Sequence, residues 1–154
     1  MYDDNALIDQ YDIALLKLKD PLVFTNRVKA VELASSEAKE GEMAWVTGFG
    51  RQEIMRGAYV DLPHLMAIQL PIIELKKCRN LLSHVADDMI CAGRKTGNYD
   101  ACTGDSGGPM VTKKGQVGIV AWGLGCGREG VPGVYTSVAY HKRWIAKRVQ
   151  ENTE

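Results

Sequence analysis

The amino-acid sequence predicts an all-β protein, an antiparallel sandwich or barrel interrupted by two helices. Short segments rich in Val, Ile, Tyr or Thr recur along the chain and are bounded by Gly or Pro, which is typical of β-strands. Their spacing suits antiparallel strands rather than βαβ units. The stretch TKKGQ is, in addition, a hairpin-turn signal between two apolar segments.

Five segments are predicted to contain strands. In chain order they are Asp12–Leu18, Glu42–Gly50, Leu65–Ile73, Pro109–Gly123 and Gly133–Val138. Between the first two lies Val31–Glu42, which is polar and lacks aromatic residues, so it is the best candidate for a linker. It would separate a short N-terminal piece from a larger C-terminal unit.

Two segments show helical rather than alternating spacing of apolar residues. The first, ELKKCRNLL, places on one face Leu75, Cys78, Leu81 and Leu82. The second, YHKRWIAKRVQ near the end of the chain, places on one face Tyr140, Trp144, Ile145 and Val149. Each of these faces is expected to be buried.

The composition excludes several classes of function. Of the 154 residues, 45% are hydrophobic and 25% are charged, as in an ordinary globular protein. The 19 basic and 19 acidic residues cancel, so there is no electrostatic reason to expect nucleic acid or an anionic membrane as a partner. No apolar run approaches the roughly 20 residues of a membrane-spanning helix.

The chain contains four cysteines: Cys78, Cys91, Cys102 and Cys126. No Cys-x-x-Cys pair occurs, and His64, His84 and His141 stand apart from any ligand spacing, so no metal site is predicted. An even count among Gly-rich loops favours two disulfides and an oxidising compartment, although spacing alone leaves three connectivities open. The acidic N-terminus lacks the basic start and apolar core of a signal peptide, which conflicts with that compartment unless the chain is part of a longer protein.

Residues 100–109, DACTGDSGGP, carry the strongest chemical signal. Glycines on both sides of Ser106 allow a sharp turn and bring backbone amides close to a bound carbonyl. The N–H groups of Gly104 and Ser106 could then both face a developing oxyanion, which is usually worth about 10²–10³ in rate per donor. The alternative is a Gly-rich turn with an ordinary surface serine. A nucleophilic serine also needs a base, usually a histidine.

Segments along the chain resemble, in order and spacing, the chymotrypsin-like serine proteases, in particular the trypsin-like ones. They are YDIALLKL, AWVTGFG, ADDMICAG, DACTGDSGGP, GIVAWGLGCG, VPGVYTSV and the terminal helix with Trp144. The resemblance spans practically the whole chain and implies a chymotrypsin-like antiparallel β-barrel with a C-terminal α-helix. By this resemblance, residues 1–30 are the last strand region of an only partial first barrel, 31–42 the linker, 43–139 a complete second barrel and 140–154 the helix.

The resemblance implies roles for the residues of the serine loop and for one aspartate far from it. Ser106 corresponds to the nucleophile, and Asp12 to the residue that orients the histidine base; without the resemblance, Asp12 would be an ordinary strand-edge residue. Gly104 and Ser106 correspond to the oxyanion hole. Asp105 corresponds to the residue of the activation pocket, which pairs with a new N-terminal ammonium after zymogen cleavage.

The resemblance also implies a substrate pocket. Asp100 corresponds to its base, where a carboxylate in a narrow, partly dry cavity favours a guanidinium or ammonium because an unpaired buried charge is costly. Gly123 and Gly133 correspond to its walls, and Trp122 to the segment that pairs with substrate backbone like an added strand. Ala121 stands where a serine usually supports the catalytic aspartate.

The implied activity is that of a trypsin-like serine endopeptidase that cleaves after Arg or Lys through an acyl-enzyme, without a cofactor. In the family's chain order the histidine precedes the aspartate by several strands, and only eleven residues precede Asp12. We therefore expect the base to lie on sequence outside this chain, and the chain alone to be inactive. The alternative is a non-catalytic, protease-like binding or regulatory module.

The resemblance implies the disulfides Cys78–Cys91 and Cys102–Cys126 and a secreted, extracellular protein. The partners expected from it are protein or peptide substrates with Arg or Lys at the cleavage site, and macromolecular protease inhibitors. The missing N-terminal portion would be a further partner.

Overall fold

The computed structural model describes residues 10–55 and 57–152, which form a closed six-stranded barrel, a small hairpin and two helices. The strands are β1 (Met43–Gly48), β2 (Gln52–Met55), β3 (Ala58–Val60), β4 (Met66–Ile73), β5 (Met89–Ala92), β6 (Pro109–Thr112), β7 (Gly115–Trp122) and β8 (Gly133–Ser137). The helices are α1 (Leu75–Leu81), between β4 and β5, and α2 (Val138–Glu151), directly after β8. Across these described residues, no helix has the length and apolar character needed to cross a lipid bilayer.

The barrel closes in the order β1-β4-β5-β8-β7-β6, and β6 returns to β1. Neighbouring strands of the barrel are antiparallel. Val46 illustrates the closure, because it faces Ile68 of β4 on one side and Met110 of β6 on the other. The strands β2 and β3, which lie between β1 and β4 in the sequence, form a separate two-stranded hairpin outside the barrel sheet.

Alternation of side chains along the strands builds the barrel core. In β1, Ala44 and Val46 are buried, whereas Trp45 between them is 50% exposed, which is the two-residue period of a strand with one covered face. The buried residues of this core are Ala34, Ala44, Val46, Leu70, Ile72, Ile90, Ala92, Met110, Val117, Val120 and Tyr135. They come from all six strands of the barrel and from the segment ahead of β1.

A second core lies between α1 and the strands β5 and β8. Cys78 and Leu82 pack there with Met89, Cys91 and Val134. Because this core covers the faces of β5 and β8 that point away from the first core, both strands are buried along their whole length. The Cys78–Cys91 disulfide, with Cα atoms 6.2 Å apart, links α1 to β5.

Four of the five predicted strand segments contain strands, and Pro109–Gly123 forms the β6–β7 hairpin that TKKGQ indicates. The strand prediction was wrong at Asp12–Leu18, which forms no strand, and Leu16 in it is 90% exposed. An extended segment becomes a strand only when a neighbour accepts and donates its backbone hydrogen bonds, and no described strand pairs with this one. The unpredicted strands are β2 and β3, which are largely exposed, and β5, whose four residues are all buried and therefore do not alternate.

The predicted buried face of α1 was only partly right. Cys78 is fully buried, and Leu82, just beyond the end of the helix, is 3% exposed. Leu81, in contrast, is 55% exposed. The helix ends at Leu81 and Leu82 adopts an extended backbone conformation, so the two leucines do not share a helical face.

The predicted buried face of α2 was also only partly right. Its buried residues are Val138, His141 and Ile145, whereas Tyr140 and Val149 are about half exposed. The helix begins at Val138, earlier than the sequence pattern indicates, because Ser137 caps it. Its inner face therefore includes the polar side chain of His141, which a pattern of apolar residues does not predict.

Candidate active site

The loop that carries Ser106 is fixed to β7 by backbone hydrogen bonds. The Gly107 N–H donates to the Val120 carbonyl, and the Val120 N–H donates to the Gly108 carbonyl, both at 2.9 Å. Within the loop, the Gly108 N–H donates to the Asp105 carbonyl at 2.8 Å. A Cβ at Gly108 would lie 2.7 Å from that carbonyl oxygen, so only glycine allows the turn to close this tightly.

Ser106 is exposed at this turn. Gly104 has a φ of +97°, in the left-handed region that favours glycine. Within residues 10–55 and 57–152, the N–H groups of Gly104 and Ser106 donate to no protein acceptor. Two such N–H groups in one turn can both donate to an oxyanion that forms beside the serine hydroxyl.

A cavity of about 350 Å³ opens beside this serine. Six residues singled out in the sequence line it: Asp100, Ser106, Ala121, Trp122, Gly123 and Gly133. They come from the loop before β6, from the end of β7 and from the start of β8. The Cys102–Cys126 disulfide, with Cα atoms 5.2 Å apart, joins the loop of Ser106 to the loop that follows β7.

Asp100 is the acidic group of this cavity. Its Oδ2 accepts a hydrogen bond from the Gly127 N–H at 3.2 Å, whereas its Oδ1 is buried and has no hydrogen-bond partner among the described residues. Burial raises the pKa of Asp100 from 3.8 to about 6, and the hydrogen bond from Gly127 offsets only part of this effect. At neutral pH the carboxylate is therefore ionised with too few donors, and a cationic group entering the cavity would supply them.

Tyr135 is a second polar group at this cavity, and the sequence analysis missed it. Its hydroxyl is buried without a hydrogen-bond partner among the described residues. Burial, followed by the negative charge of Asp100, raises the pKa of Tyr135, so the hydroxyl stays protonated. The available signal was its place two residues after Gly133 on β8, because alternate residues of a strand share a face.

Gly133 is required by the close approach of these two groups. A Cβ at this position would lie 2.6 Å from Asp100 Oδ1 and 3.2 Å from the Tyr135 hydroxyl oxygen. Any side chain at position 133 would therefore displace the carboxylate from its place.

The hairpin β2–β3 brings Tyr59 to the same cavity. The Arg51 N–H donates to the Thr103 carbonyl at 2.8 Å, and the Cys126 N–H donates to Glu53 Oε2 at 3.4 Å. The start of the hairpin is thus joined to the serine loop and to the disulfide. From the sequence, the loop Arg51–Asp61, which contains Tyr59, is expected to tune substrate choice, but the contact of Tyr59 itself with the cavity depends on where the hairpin folds.

Asp105, next to the serine, faces a different cavity of about 640 Å³. Its Oδ1 accepts from the Gly50 N–H at 2.8 Å, and its Oδ2 accepts from the Cys102 N–H at 2.9 Å. A Cβ at Gly48 or Gly50 would collide with this carboxylate, so β1 and the residues after it are shaped around Asp105. Asp105 does not line the cavity that contains Ser106.

Asp12 lines neither of the two cavities. It is half-buried, and its carbonyl oxygen accepts a hydrogen bond from Thr136 Oγ1 of β8 at 2.9 Å. The contact fixes the backbone of Asp12 against β8, although Thr136 and Asp12 are 124 residues apart in sequence.

The three histidines lie away from the serine. His64 and His84 are exposed, whereas His141 is 3% exposed with its Nε2 atom 3.2 Å from Asp88 Oδ2. None of them lines the cavity of Ser106 in the part of the chain that the structure describes. These residues therefore provide no general base next to the serine.

The comparison with known proteins agrees with this architecture. The family model described as Trypsin matches residues 1–145. Testisin of Homo sapiens is 39% identical over 155 residues, which cover 92% of this chain and 49% of testisin. Trypsin eta of Drosophila erecta is 39% identical over 149 residues, covering 94% of this chain and 57% of that protein. The vitellin-degrading protease of Bombyx mori is 40% identical over 143 residues, covering 90% and 53%.

The chain thus spans about half the length of the curated relatives it matches. The closed antiparallel barrel and the C-terminal helix confirm the predicted all-β, chymotrypsin-like fold class. The chain belongs to the trypsin family.

Proposed function

We propose that the protein carrying this chain is a trypsin-like serine endopeptidase that cleaves after Arg or Lys. Membership of the trypsin family supports a protease that acts on protein substrates. The observation that carries the specificity is the buried Asp100 carboxylate, whose Oδ1 has no partner among the described residues, in a cavity that also contains Ser106. Since an under-satisfied buried charge is costly, this cavity favours a guanidinium or ammonium group.

In the proposed reaction, Ser106 Oγ attacks the carbonyl carbon that follows the bound Arg or Lys, while a histidine base takes the hydroxyl proton. Asp12 holds that imidazole in the required tautomer. The Gly104 and Ser106 N–H groups donate to the oxyanion of the tetrahedral intermediate. The C–N bond then breaks, the imidazolium protonates the departing amine, and an acyl-enzyme remains. Water, deprotonated by the same base, releases the carboxylic acid and restores the serine.

Two neighbouring elements complete the proposal. Asp105 would pair with the N-terminal ammonium that zymogen cleavage creates, which is supported by its separate cavity of about 640 Å³. Because Asp105 adjoins Gly104, such an ion pair would link cleavage to the geometry of the oxyanion hole. Trp122 and Gly123, at the end of β7, would pair with the substrate backbone as an added strand.

We also propose that the protein is secreted and that macromolecular protease inhibitors are among its partners. The support for secretion is the presence of two disulfides, with no free cysteine among the described residues. Such bonds persist in oxidising, extracellular compartments.

A panel of fluorogenic peptides that differ only in the residue before the scissile bond tests this function on the full-length protein after zymogen cleavage. We expect kcat/KM for Arg and Lys peptides to exceed that for Phe and Ala peptides by at least about 10²-fold, because only a cation pairs with Asp100. A preference for Phe or Ala would contradict the specificity. No hydrolysis of any peptide would contradict the enzyme class.

The alternative is a protease-like module that binds without catalysis. The observation that favours it is the position of the histidines, none of which lines the Ser106 cavity in residues 10–55 and 57–152. A fluorophosphonate labels a serine only when a base activates its hydroxyl. Labelling of the full-length protein that is lost in Ser106→Ala would therefore exclude this alternative.

The 154-residue chain by itself is expected to be inactive, because no histidine among its described residues lines the cavity of Ser106. Removal of one member of a catalytic triad costs about 10⁶ in turnover. Hydrolysis of an arginyl ester by the purified chain, compared with its Ser106→Ala variant, measures this directly. Rapid hydrolysis that depends on Ser106 would show that another group serves as the base.

A further inference from the structure

Two buried side chains of the barrel hold the backbone on either side of Asp12. Asp88, in the segment before β5, accepts a hydrogen bond through Oδ2 from the Tyr11 N–H at 2.8 Å. Thr136 of β8 donates from Oγ1 to the Asp12 carbonyl at 2.9 Å. Both are polar groups inside the protein, with Asp88 3% and Thr136 2% exposed. The dipeptide Tyr11–Asp12 is thus held at both ends, at its N–H by Asp88 and at its carbonyl by Thr136.

The backbone at Tyr11 needs such support. Its φ is +60°, in the left-handed region that is costly for a residue with a bulky side chain. The Ile13 N–H donates to the Tyr11 carbonyl at 2.8 Å, which closes a tight turn around Asp12. A conformation of this kind persists only where surrounding contacts enforce it, and the hydrogen bond to Asp88 is one of those contacts.

Asp88 is itself held firmly. Its carbonyl oxygen accepts from the Ser137 N–H at 2.8 Å, and its Oδ2 also lies 3.2 Å from His141 Nε2. The His141 ring also meets the Tyr11 ring edge-on, with centroids 6.0 Å apart. The start of α2, the segment before β5 and the turn around Asp12 are therefore joined through one carboxylate.

We propose that Asp88 and Thr136 are positioning residues that place Asp12, and through it orient the histidine base. The inference rests on the proposed function, because Asp12 matters for catalysis only if the protein is a serine protease. It adds a requirement on the second barrel: the orienting aspartate is fixed by side chains from β8 and from the segment before β5. A displacement of about 1 Å in such a constellation can cost 10²-fold in rate.

The test compares Asp88→Leu with Asp88→Asn in the full-length protein. Leucine has a similar shape and no acceptor, so the turn at Tyr11 loses its hydrogen bond, and we expect kcat to fall at least tenfold with KM within twofold. Asparagine keeps an acceptor oxygen for the Tyr11 N–H, so its kcat should stay within threefold of wild type. The matched control is Asp87→Leu, because Asp87 is exposed and Arg79 is its one ion-pair partner among the described residues.

The readout is kcat per active site, with active sites counted from the burst of a chromogenic ester. A merely structural role for Asp88 would lower the number of active sites and leave kcat per site unchanged, which would overturn the proposal. Thr136→Val keeps the shape of the side chain and removes its donor, so it provides an independent second variant, expected to lower kcat severalfold. If Asp88→Leu does not fold, the test rests on Thr136→Val. A kcat per active site equal to that of the wild type in Thr136→Val would then overturn the proposal. Inactive wild-type protein would instead reject the proposed function.

Discussion

Ser106→Ala in the full-length protein is expected to lower kcat for an Arg peptide about 10⁶-fold, with little change in substrate binding. The reason is that Ser106 supplies the only atom that forms a covalent bond with the substrate in the proposed reaction, and loss of a triad nucleophile costs about this much. The residual rate would come from binding and from the oxyanion donors. Steady-state kinetics at equal, independently measured protein concentrations measures the effect.

The matched control for this substitution is Ser83→Ala, because Ser83 is exposed and makes no hydrogen bond to another described residue. It should leave kcat within twofold of wild type. If Ser106→Ala kept more than about 1% of the wild-type rate, the serine would not be the nucleophile. A different nucleophile would then have to be found.

Asp100→Asn is expected to lower kcat/KM for Arg peptides by about 10²–10⁴-fold. A substrate guanidinium would enter the cavity without its anion, and removal of one partner of a buried ion pair costs about 3–5 kcal/mol. Asp61→Asn is the control, because Asp61 is an exposed acid whose side chain pairs with Arg51 at the surface. It should change kcat/KM for Arg peptides by less than threefold.

The raised pKa of Asp100 gives the same variant a second, opposite effect on stability. The pKa of this group is about 6 in the folded protein and 3.8 ordinarily, so between these pH values the folded state binds more protons than the unfolded state. Its contribution to stability therefore falls as the pH rises from about 4 to 6, and the penalty persists above that range. Asp100→Asn should remove this penalty at pH 7, on the order of 2–3 kcal/mol. Thermal unfolding that shows no gain in Tm would contradict the burial of a charged carboxylate at this position.

The alternation in β1 was predictable because one face of the strand is covered, whereas β5 is buried on both faces and was missed. Ala44, Trp45 and Val46 alternate as the pleat requires, and the TKKGQ turn joins β6 to β7 as expected. In contrast, Asp12–Leu18 reads as a strand but has no partner strand among the described residues. The large exposed side chains of this region, such as Leu16 and Phe24, are apolar enough to be buried by further chain. The local pattern of residues predicts an extended backbone, whereas the pairing of that backbone with another strand depends on the rest of the molecule.

The candidate site divides in the same way. The resemblance, and not a local pattern, implied roles for Asp100, Ser106 and Gly133, which all line one cavity. Tyr135 and Asp88 were not predictable, since their roles arise from contacts between distant parts of the chain. The Asp88 carboxylate binds a backbone N–H that lies 77 residues away in sequence. No local spacing contains that information.

The central claim is that the Asp100 carboxylate selects a cationic side chain for cleavage. Two peptides that differ only by arginine or citrulline before the scissile bond test it most directly, because citrulline has the shape of arginine without its charge. The ratio of their kcat/KM values also cancels the titration of the histidine base. We predict a ratio of at least about 10² at pH 8 that declines as the pH falls through 6, and a ratio below ten in Asp100→Asn at every pH. Equal ratios in the wild-type and variant proteins would contradict the claim.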